Sequence, residues 1–148
     1  MSAPLVTTIE EAFRCAEYPG DFAIATPTYD DEGTTEHFCR THWKDHSGDD
    51  LESFTSSITF LTPEAFAFYL PAFMIAALQN PSSGIGSSLV YHLCPPKADL
   101  HRPSFLAWWA RLSGPQQRTV VAFLRELQER NECVPELAVL ALEAYLAV

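Results

Sequence analysis

The stretch LTPEAFAFYLPAFMIAALQN, from Leu61 to Asn80, places the strongest constraint on how this chain can fold. It begins with helix-start signals: Thr62 suits the N-cap, Pro63 the first helical position and Glu64 the first turn. Every residue from Ala65 to Leu78 is apolar or aromatic, so a helix here has no polar face to present to water. The run is shorter than the ~20 apolar residues that a bilayer-spanning helix needs. The pattern therefore predicts a core helix buried on nearly all sides, and no membrane span.

A proline lies at the middle of this helix. Pro71 has no N–H to donate to the carbonyl of Ala67, and its ring crowds that carbonyl. We therefore expect two helical segments, residues 63–69 and 71–78, that meet at a bend. The proline is interpreted as a residue that shapes the helix and has no direct functional role.

The remaining chain carries further helix signals and no convincing strand. The Leu89–Cys94 run could be a buried strand or a helical turn, but a lone strand would lack a partner, which favours helix or irregular structure. The sequence PSSGIGSS before it predicts a flexible link. Further helices are expected from a capping box at Thr8–Glu11, over Asp31–Trp43, over Leu51–Ile58, over Ser104–Leu112, from a second capping box at Ser113 to Glu129, and from Pro135. The positions expected to face inward are Ile9, Ala12, Phe13 and Ala16 on one stripe, Phe38, Trp43, and Leu137, Leu140, Ala141, Ala144 and Tyr145. Those expected to face outward are Arg118, Arg125, Glu129 and Arg130.

These signals predict an all-α fold: a compact single-domain helical bundle, residues 1–148, around a Pro-kinked central helix. A length of 148 residues with 47% hydrophobic and 19% charged residues is typical of one globular domain. The start, MSAPLVTTIEEAF, lacks the basic and apolar regions of a secretory signal, so a cytoplasmic location is expected. The four cysteines form no C-x-x-C pair and are interpreted as reduced, small core residues.

Negative charge is concentrated in the first third of the chain. From Glu17 to Glu52 ten carboxylates accompany two cations, so this segment carries −8 of the net charge of −10. Such a field repels phosphate backbones, which disfavours nucleic-acid binding and favours a basic protein partner. The plainer alternative is that the charge only keeps the protein soluble. The residues expected to bind a partner are Asp30, Asp31, Glu32, Glu36, Asp45, Asp49, Asp50, Glu52 and Trp108.

Trp108 is included because its neighbour is expected to face the core. If Trp109 packs inward with Phe105 and Leu112, Trp108 points about 100° away on the helix. An exposed tryptophan would be a natural interface anchor, whereas a covered one would extend the core.

The segment HFCRTHWKDH supplies candidate metal ligands: His37, Cys39, His42 and His46. On one helix, the last three would fall at offsets of three and four and share a face. A structural zinc site needs four ligands in paired spacing, and no second pair is apparent, although Cys15 or Asp45 could approach from elsewhere. The alternative is a solvated helix face with Cys39 turned inward.

No catalytic signature is found. In GIGSSLV, Val90 stands where a nucleophile elbow needs glycine, and Ser87 stands where a phosphate loop needs lysine. The adjacent acids Asp30 and Asp31, or Asp49 and Asp50, could bind a hard cation or do acid–base work. A helix N-terminus, where the dipole stabilises carboxylates, is the simpler explanation. No cofactor is expected.

Several segments together resemble a bacterial family, domain of unknown function 6714. They are IEEAF…YPGD, a tryptophan followed by an acidic stretch, FLTPEAFAFYLPAFMIAAL, LVYHLCPP and LSGPQQRTVVAFLREL, and the most specific part is LTPEAFxxYLPAF. The resemblance covers residues 9–21, 43–78 and pieces of 89–127. It implies bacterial origin and a helical fold, and it supplies no catalytic residues.

The leading expectation is a non-enzymatic acidic protein-binding domain, in concrete form a bacterial immunity protein that neutralises a basic toxin. The alternative from another class is a metal-binding protein or metal-dependent enzyme that uses the His37/Cys39/His42/His46 cluster. A third is a homo-oligomer joined through apolar helix faces such as residues 137–145.

Overall fold

The computed structural model describes residues 3–26, 33–80, 84–93, 102–130 and Leu142. Within these ranges the fold is all-α, as predicted, and the only β feature is an isolated antiparallel bridge between Ala25 and Leu61. The helices are α1 (Ala3–Ala12), α2 (Thr34–Phe38), a 3₁₀ turn (Trp43–Asp45), α3 (Gly48–Glu52), α4 (Ser57–Phe60), α5 (Pro63–Gln79), α6 (Ile85–Leu93), α7 (Arg102–Trp109) and α8 (Gly114–Glu129).

Helix α5 is the central element and begins as predicted. The Thr62 side chain accepts a hydrogen bond from the N–H of Ala65 at 3.0 Å, and Pro63 takes the first helical position. The expectation of two separate segments is wrong, because one helix continues through Pro71 to Gln79. Proline removes a single backbone donor, and burial of the surrounding turns holds the helix together. A bend within this continuous helix stays a prediction.

Helix α5 has neighbours on several sides. It packs against α1, α3, α6, α7 and the 3₁₀ turn. Its buried residues point in all directions around the helix axis, as the absence of a polar face predicted. They are Ala65, Phe66, Phe68, Tyr69, Leu70, Pro71, Ala72, Phe73, Met74, Ala76, Ala77 and Leu78.

Helix α1 begins earlier than expected. Thr8 is not its N-cap; it lies inside the helix, where its hydroxyl donates to the carbonyl of Pro4 at 3.0 Å. The Ser/Thr-x-x-Glu pattern lies inside the helix, so the prediction of a helix start at Thr8 is wrong. The expected inward positions Ile9 and Phe13 are fully buried.

The helix expected from Asp31 to Trp43 is confirmed over Thr34–Phe38 and wrong beyond Phe38. α2 ends at Phe38, and Arg40 then adopts a left-handed conformation with φ 61°. The hydroxyl of Tyr18 accepts the N–H of Arg40 at 2.7 Å, which stabilises the break. Phe38 and Trp43 are nevertheless buried, as expected.

Two further boundaries differ from expectation. The helix expected over Leu51–Ile58 is divided into α3 and α4, with a turn between them. The link expected in PSSGIGSS is wrong from Ile85 onward, because α6 begins there and includes Gly86. The helical alternative for the following apolar run is confirmed as far as Leu93.

The second capping box is confirmed at the start of α8. The Ser113 hydroxyl accepts the N–H of Gln116, and the Gln116 side chain accepts the N–H of Ser113. Arg130, which ends this helix, was expected to face outward but is only partly exposed: it pairs with Glu126 at 2.9 Å and donates to the carbonyl of Leu78 at 3.0 Å. α8 is therefore tied to the end of α5.

Trp108 contradicts its prediction as an exposed anchor. Its side chain is 6% exposed and meets Phe66 and Phe105 edge to face, at ring-centroid distances of 4.9 and 5.3 Å. Trp109 is buried as well, so α7 is covered on two sides. Trp108 belongs to the core.

The expected helix from Pro135, with its apolar positions 137–145, lies outside the described residues apart from the buried Leu142. The homo-oligomer hypothesis therefore has no described surface to support it. Asp30, Asp31 and Glu32, and the cysteines Cys94 and Cys133, also lie outside the described residues.

Candidate functional site

Two histidines and an aspartate converge where α2 meets α3. The Nε2 atom of His37 lies 2.7 Å from Oδ1 of Asp50, and Nδ1 of His46 lies 3.1 Å from the same oxygen. One potential ligand atom from each residue lies within 4.8 Å of the others. The side chains are 23%, 4% and 31% exposed for His37, His46 and Asp50. We call these three residues the His–Asp cluster.

Local capping positions Asp50. Ser47 is the N-cap of α3, and its N–H donates to Oδ2 of Asp50 at 2.6 Å. The expectation that Asp50 serves a helix N-terminus is therefore confirmed. Because capping uses Oδ2, the other oxygen faces the histidines, and the i,i+4 spacing brings His46 to it.

Aromatic packing positions His37. Its ring stacks on Phe54, with centroids 3.7 Å apart and planes 9° from parallel. It also meets the edge of Phe38 at 4.8 Å. These contacts fix the ring plane, so Nε2 points at Asp50 rather than turning toward water.

A hydrogen-bonded chain connects the His–Asp cluster to the core. Nε2 of His46 lies 2.8 Å from the hydroxyl oxygen of Thr41, which in turn donates to the carbonyl of Phe38 at 2.6 Å. The fully buried Tyr69 places its hydroxyl 2.7 Å from that carbonyl and 2.8 Å from the carbonyl of Thr41. The loop after α2 is thereby attached to α5.

The surroundings shift the pKa values of two of these groups. Burial acts to raise the pKa of Asp50, but the hydrogen bonds from the Ser47 N–H, His46 and His37 together lower it below the ordinary value. Asp50 is therefore a carboxylate at neutral pH. Burial raises the pKa of Tyr69 to about 12, so this hydroxyl keeps its proton.

The order carboxylate, imidazole, hydroxyl from Asp50 through His46 to Thr41 has the sequence of groups found in nucleophilic triads. Its hydroxyl is placed differently, because Thr41 faces the Phe38 carbonyl and the buried Tyr69. The chain of bonds instead orients His46.

The predicted metal ligands are only partly brought together. His37 and His46 meet, but Cys39 and His42 do not join them, because the helix that would have aligned Cys39, His42 and His46 ends at Phe38. The thiol of Cys39 lies 3.9 Å from the Tyr18 hydroxyl. Nδ1 of His42 accepts the Lys44 N–H at 3.0 Å.

The residues considered as a fourth ligand are also elsewhere. Asp45 accepts the N–H of His42 at 2.7 Å, and Cys15 is exposed in the turn that follows α1. Asp50 was considered with Asp49 as a possible ligand of a hard cation, but not as a partner of the histidines, because a helix start was the preferred explanation of the adjacent acids. The His46-to-Asp50 spacing of four residues was the signal that could have identified it.

A cleft of about 220 Å³ borders the cluster on the side of His46. It also contacts Trp43, whose indole N–H is buried without a hydrogen-bond partner among the described residues. Its walls combine charged, polar and aliphatic side chains: Glu10, Lys44, Ser47, Gln79, Ala72, Ile75 and Ala76.

The model of a family of unknown function, DUF6714, matches residues 1–147. The chain belongs to DUF6714. The resemblance inferred from the LTPEAFxxYLPAF core is thereby confirmed. No curated protein and no solved structure matches this DUF6714 protein. Among its described helices, none combines the length and apolar character needed to cross a bilayer.

The predicted partner-binding carboxylates of this DUF6714 protein that the structure describes fall into two groups, and Asp21 resembles the first. Asp45 and Asp50 accept hydrogen bonds from their own chain, and Asp21 pairs with Arg40 at 3.1 Å. In contrast, Glu36 on α2 and Asp49 and Glu52 on α3 are exposed, and no ion pair holds them within the described ranges. We call Glu36, Asp49 and Glu52 the acidic rim.

Proposed function

We propose that this protein is a non-enzymatic acidic protein-binding domain that docks on a basic partner through the acidic rim. The supporting observation is that the two helices carrying the rim are held together. The His37–Asp50 contact of 2.7 Å joins α2 to α3. Glu36 adjoins one end of this contact in sequence and Asp49 adjoins the other, so the exposed carboxylates lie on neighbouring short helices.

The charge of the described residues is unevenly distributed along the chain. From 33 to 52, Glu36, Asp45, Asp49, Asp50 and Glu52 oppose Arg40 and Lys44, which leaves −3. From 102 to 130, five arginines oppose Glu126 and Glu129, which leaves +3. A locally acidic segment of this kind attracts a cationic surface during encounter.

The concrete form of the proposal is an immunity protein in a bacterial cytoplasm that covers a basic toxin. Carboxylates opposite a cationic active cleft would accelerate association, and burial at the centre of the interface would slow dissociation. Since Trp108 lies in the core, the anchor of such an interface must be another residue. The exposed aromatic side chains Phe22 and Tyr91, 104% and 81% exposed, are available at other places on the surface.

The experiment measures a partner's association rate against ionic strength. The protein is immobilised, the bound partner is identified from its native host, and the purified pair is followed by biolayer interferometry. Between about 20 mM and 500 mM salt we expect the association rate constant to fall at least about tenfold, because the Debye length shortens several-fold.

A matched pair of triple variants locates the surface. Glu36→Gln, Asp49→Asn and Glu52→Gln together should lower the association rate at low salt by roughly tenfold and flatten its salt dependence. The control removes three exposed carboxylates from α1 and α8, namely Glu10, Glu11 and Glu129, and should change the rate by less than about twofold. An association rate that ignores salt, or equal losses in both triple variants, would reject the proposal.

A further inference from the structure

We propose that the His–Asp cluster is a binding site for one divalent transition-metal ion, zinc being the ion that its ligand set fits best. Two imidazole nitrogens and one carboxylate oxygen form the three-ligand set of zinc sites that keep an open position. This set differs from the one that the sequence suggested, because Asp50 replaces Cys39 and His42. The site shares the His37–Asp50 contact with the acidic-rim proposal, but its test needs no protein partner.

Two of the three ligand separations, those from Asp50 Oδ1, need only small changes to reach coordinating positions. The third, between the two imidazole nitrogens, is at most 4.8 Å and would shorten by up to about 1.5 Å. Tetrahedral zinc with bonds of about 2.0–2.1 Å holds its ligand atoms about 3.3 Å apart. The distances from Asp50 Oδ1 are 2.7 Å to His37 Nε2 and 3.1 Å to His46 Nδ1. An ion would therefore widen these separations by about 0.2–0.6 Å. Small rotations of partly exposed side chains supply such movements.

The ion would take the place of the ring protons that face Asp50. Each imidazole would coordinate as the neutral tautomer whose lone pair faces Oδ1 and whose single proton is on the other ring nitrogen, and any proton displaced from between the nitrogen and Oδ1 would be released to water. His46 would then carry its remaining proton on Nε2 and donate it to the Thr41 hydroxyl at 2.8 Å. The Thr41 hydroxyl already has an acceptor in the Phe38 carbonyl at 2.6 Å.

This arrangement supplies the support that metal-binding histidines have in other proteins. Their second ring nitrogen donates to an oxygen that fixes the tautomer and the ring orientation. Thr41 has that position for His46, and Tyr69 fixes the loop by donating to the backbone. Phe54 fixes the plane of His37 by stacking at 3.7 Å. Asp50 is fixed through Oδ2 by the Ser47 N–H.

The surroundings favour a cation with a free coordination position. His46 is 4% exposed and closes the inner side, whereas Asp50 at 31% and His37 at 23% leave the outer side accessible to water or a ligand group. The acidic rim adds negative charge around this opening. A positive ion is attracted by that potential.

The test is calorimetric titration of the tag-free, metal-depleted full chain with Zn²⁺, accompanied by Co²⁺ as a spectroscopic probe. We expect one ion per chain and the visible d–d bands of a low-coordinate Co²⁺ site. His37→Ala and His46→Gln should each weaken Zn²⁺ binding by about 100-fold or more and abolish the Co²⁺ bands, because each removes one of three ligands. Asp50→Ala should do the same where circular dichroism shows that the variant folds.

The controls are His42→Ala and Cys39→Ala, which remove nearby potential ligands from outside the cluster. Both should retain wild-type stoichiometry and an affinity within about twofold of wild type. The proposal is overturned by an absence of stoichiometric binding, or by binding that survives in the His37 and His46 variants. It is overturned equally if His42 or Cys39 proves to be required. If the His–Asp contacts are only structural, added Co²⁺ should show the spectrum of the free aqueous ion and no bands of a bound site.

Discussion

Replacing Tyr69 by phenylalanine tests whether the buried hydroxyl holds the loop after α2 against α5. Tyr69 is fully buried, and its hydroxyl reaches the carbonyls of Phe38 and Thr41 at 2.7 and 2.8 Å. In the variant, the carbonyl of Phe38 still accepts a hydrogen bond from the Thr41 hydroxyl at 2.6 Å. The carbonyl of Thr41 loses the Tyr69 hydroxyl, and no other donor to it is found among the described residues. One carbonyl left without its partner costs about 1–3 kcal/mol.

The expected result is a loss of about 2 kcal/mol in the free energy of unfolding, equivalent to roughly 4–8 °C in Tm for a chain of this size. Urea denaturation measures the change, with an unchanged slope showing that the unfolded state is the same. Tyr91→Phe is the control, because Tyr91 is 81% exposed and should stay within about 0.5 kcal/mol of wild type. A Tyr69→Phe variant as stable as that control would refute the argument.

The same hydroxyl predicts a dependence on alkaline pH. Burial raises the pKa of Tyr69 from 10.0 to about 12, so the folded protein favours the protonated form. This contribution is fully present below the unfolded pKa near pH 10 and is lost as pH rises toward 12, with a total of about 3 kcal/mol. Between about pH 9 and pH 11.5 the wild-type stability should therefore fall more steeply than that of Tyr69→Phe, and parallel curves would contradict the assignment.

Two further predictions concern the caps and glycines of the bundle. Thr62→Ala should lower the free energy of unfolding, measured by urea denaturation, by about 1–2 kcal/mol. The reason is that the Thr62 side chain caps α5 and also donates to the carbonyl of Ala23 at 2.6 Å. The control Thr59→Ala, at an exposed site, should lower it by less than about 0.5 kcal/mol. Gly86→Ala should stabilise α6 by about 0.5–1 kcal/mol, because the new Cβ would meet its nearest neighbour at an ordinary 3.9 Å. Gly48→Ala should destabilise by about 1 kcal/mol, because a Cβ there would collide with the side chain of Asn80 and disturb its hydrogen bond to α5. Thermal denaturation of the two glycine variants should give Tm shifts of opposite sign, and shifts of the same sign would contradict this reading.

The elements that the sequence could predict are those set by neighbours in the chain. The starts of α5 and α8 follow from caps within three residues of Thr62 and Ser113, and both appear at the expected positions. The breaks that the sequence could not predict depend on distant contacts. Arg40 ends a helical pattern because its N–H is held by Tyr18, a residue 22 positions away. Trp108 is buried because Phe66 of another helix covers it.

The candidate site shows the same division. His37 and His46 were recognisable by residue type, and the bond between Asp50 and His46 follows from local spacing. Their meeting with His37 depends on how α2 packs on α3, which a periodicity argument cannot supply. The helix predicted over residues 31–43 would have turned His42 toward the others, so one wrong boundary changed the ligand set.

The covering of α5 also limits how the chain can be shortened. Its neighbours come from both directions in the sequence: α1 and α3 precede it, whereas α6 and α7 follow it. During synthesis, this helix leaves the ribosome before α6 and α7 exist to shield it. Until residue 109 has emerged, the nascent chain exposes the apolar surface of α5, which favours aggregation. Fragments ending between residues 80 and 109 should therefore collect in inclusion bodies, even though each retains the capped start of α5.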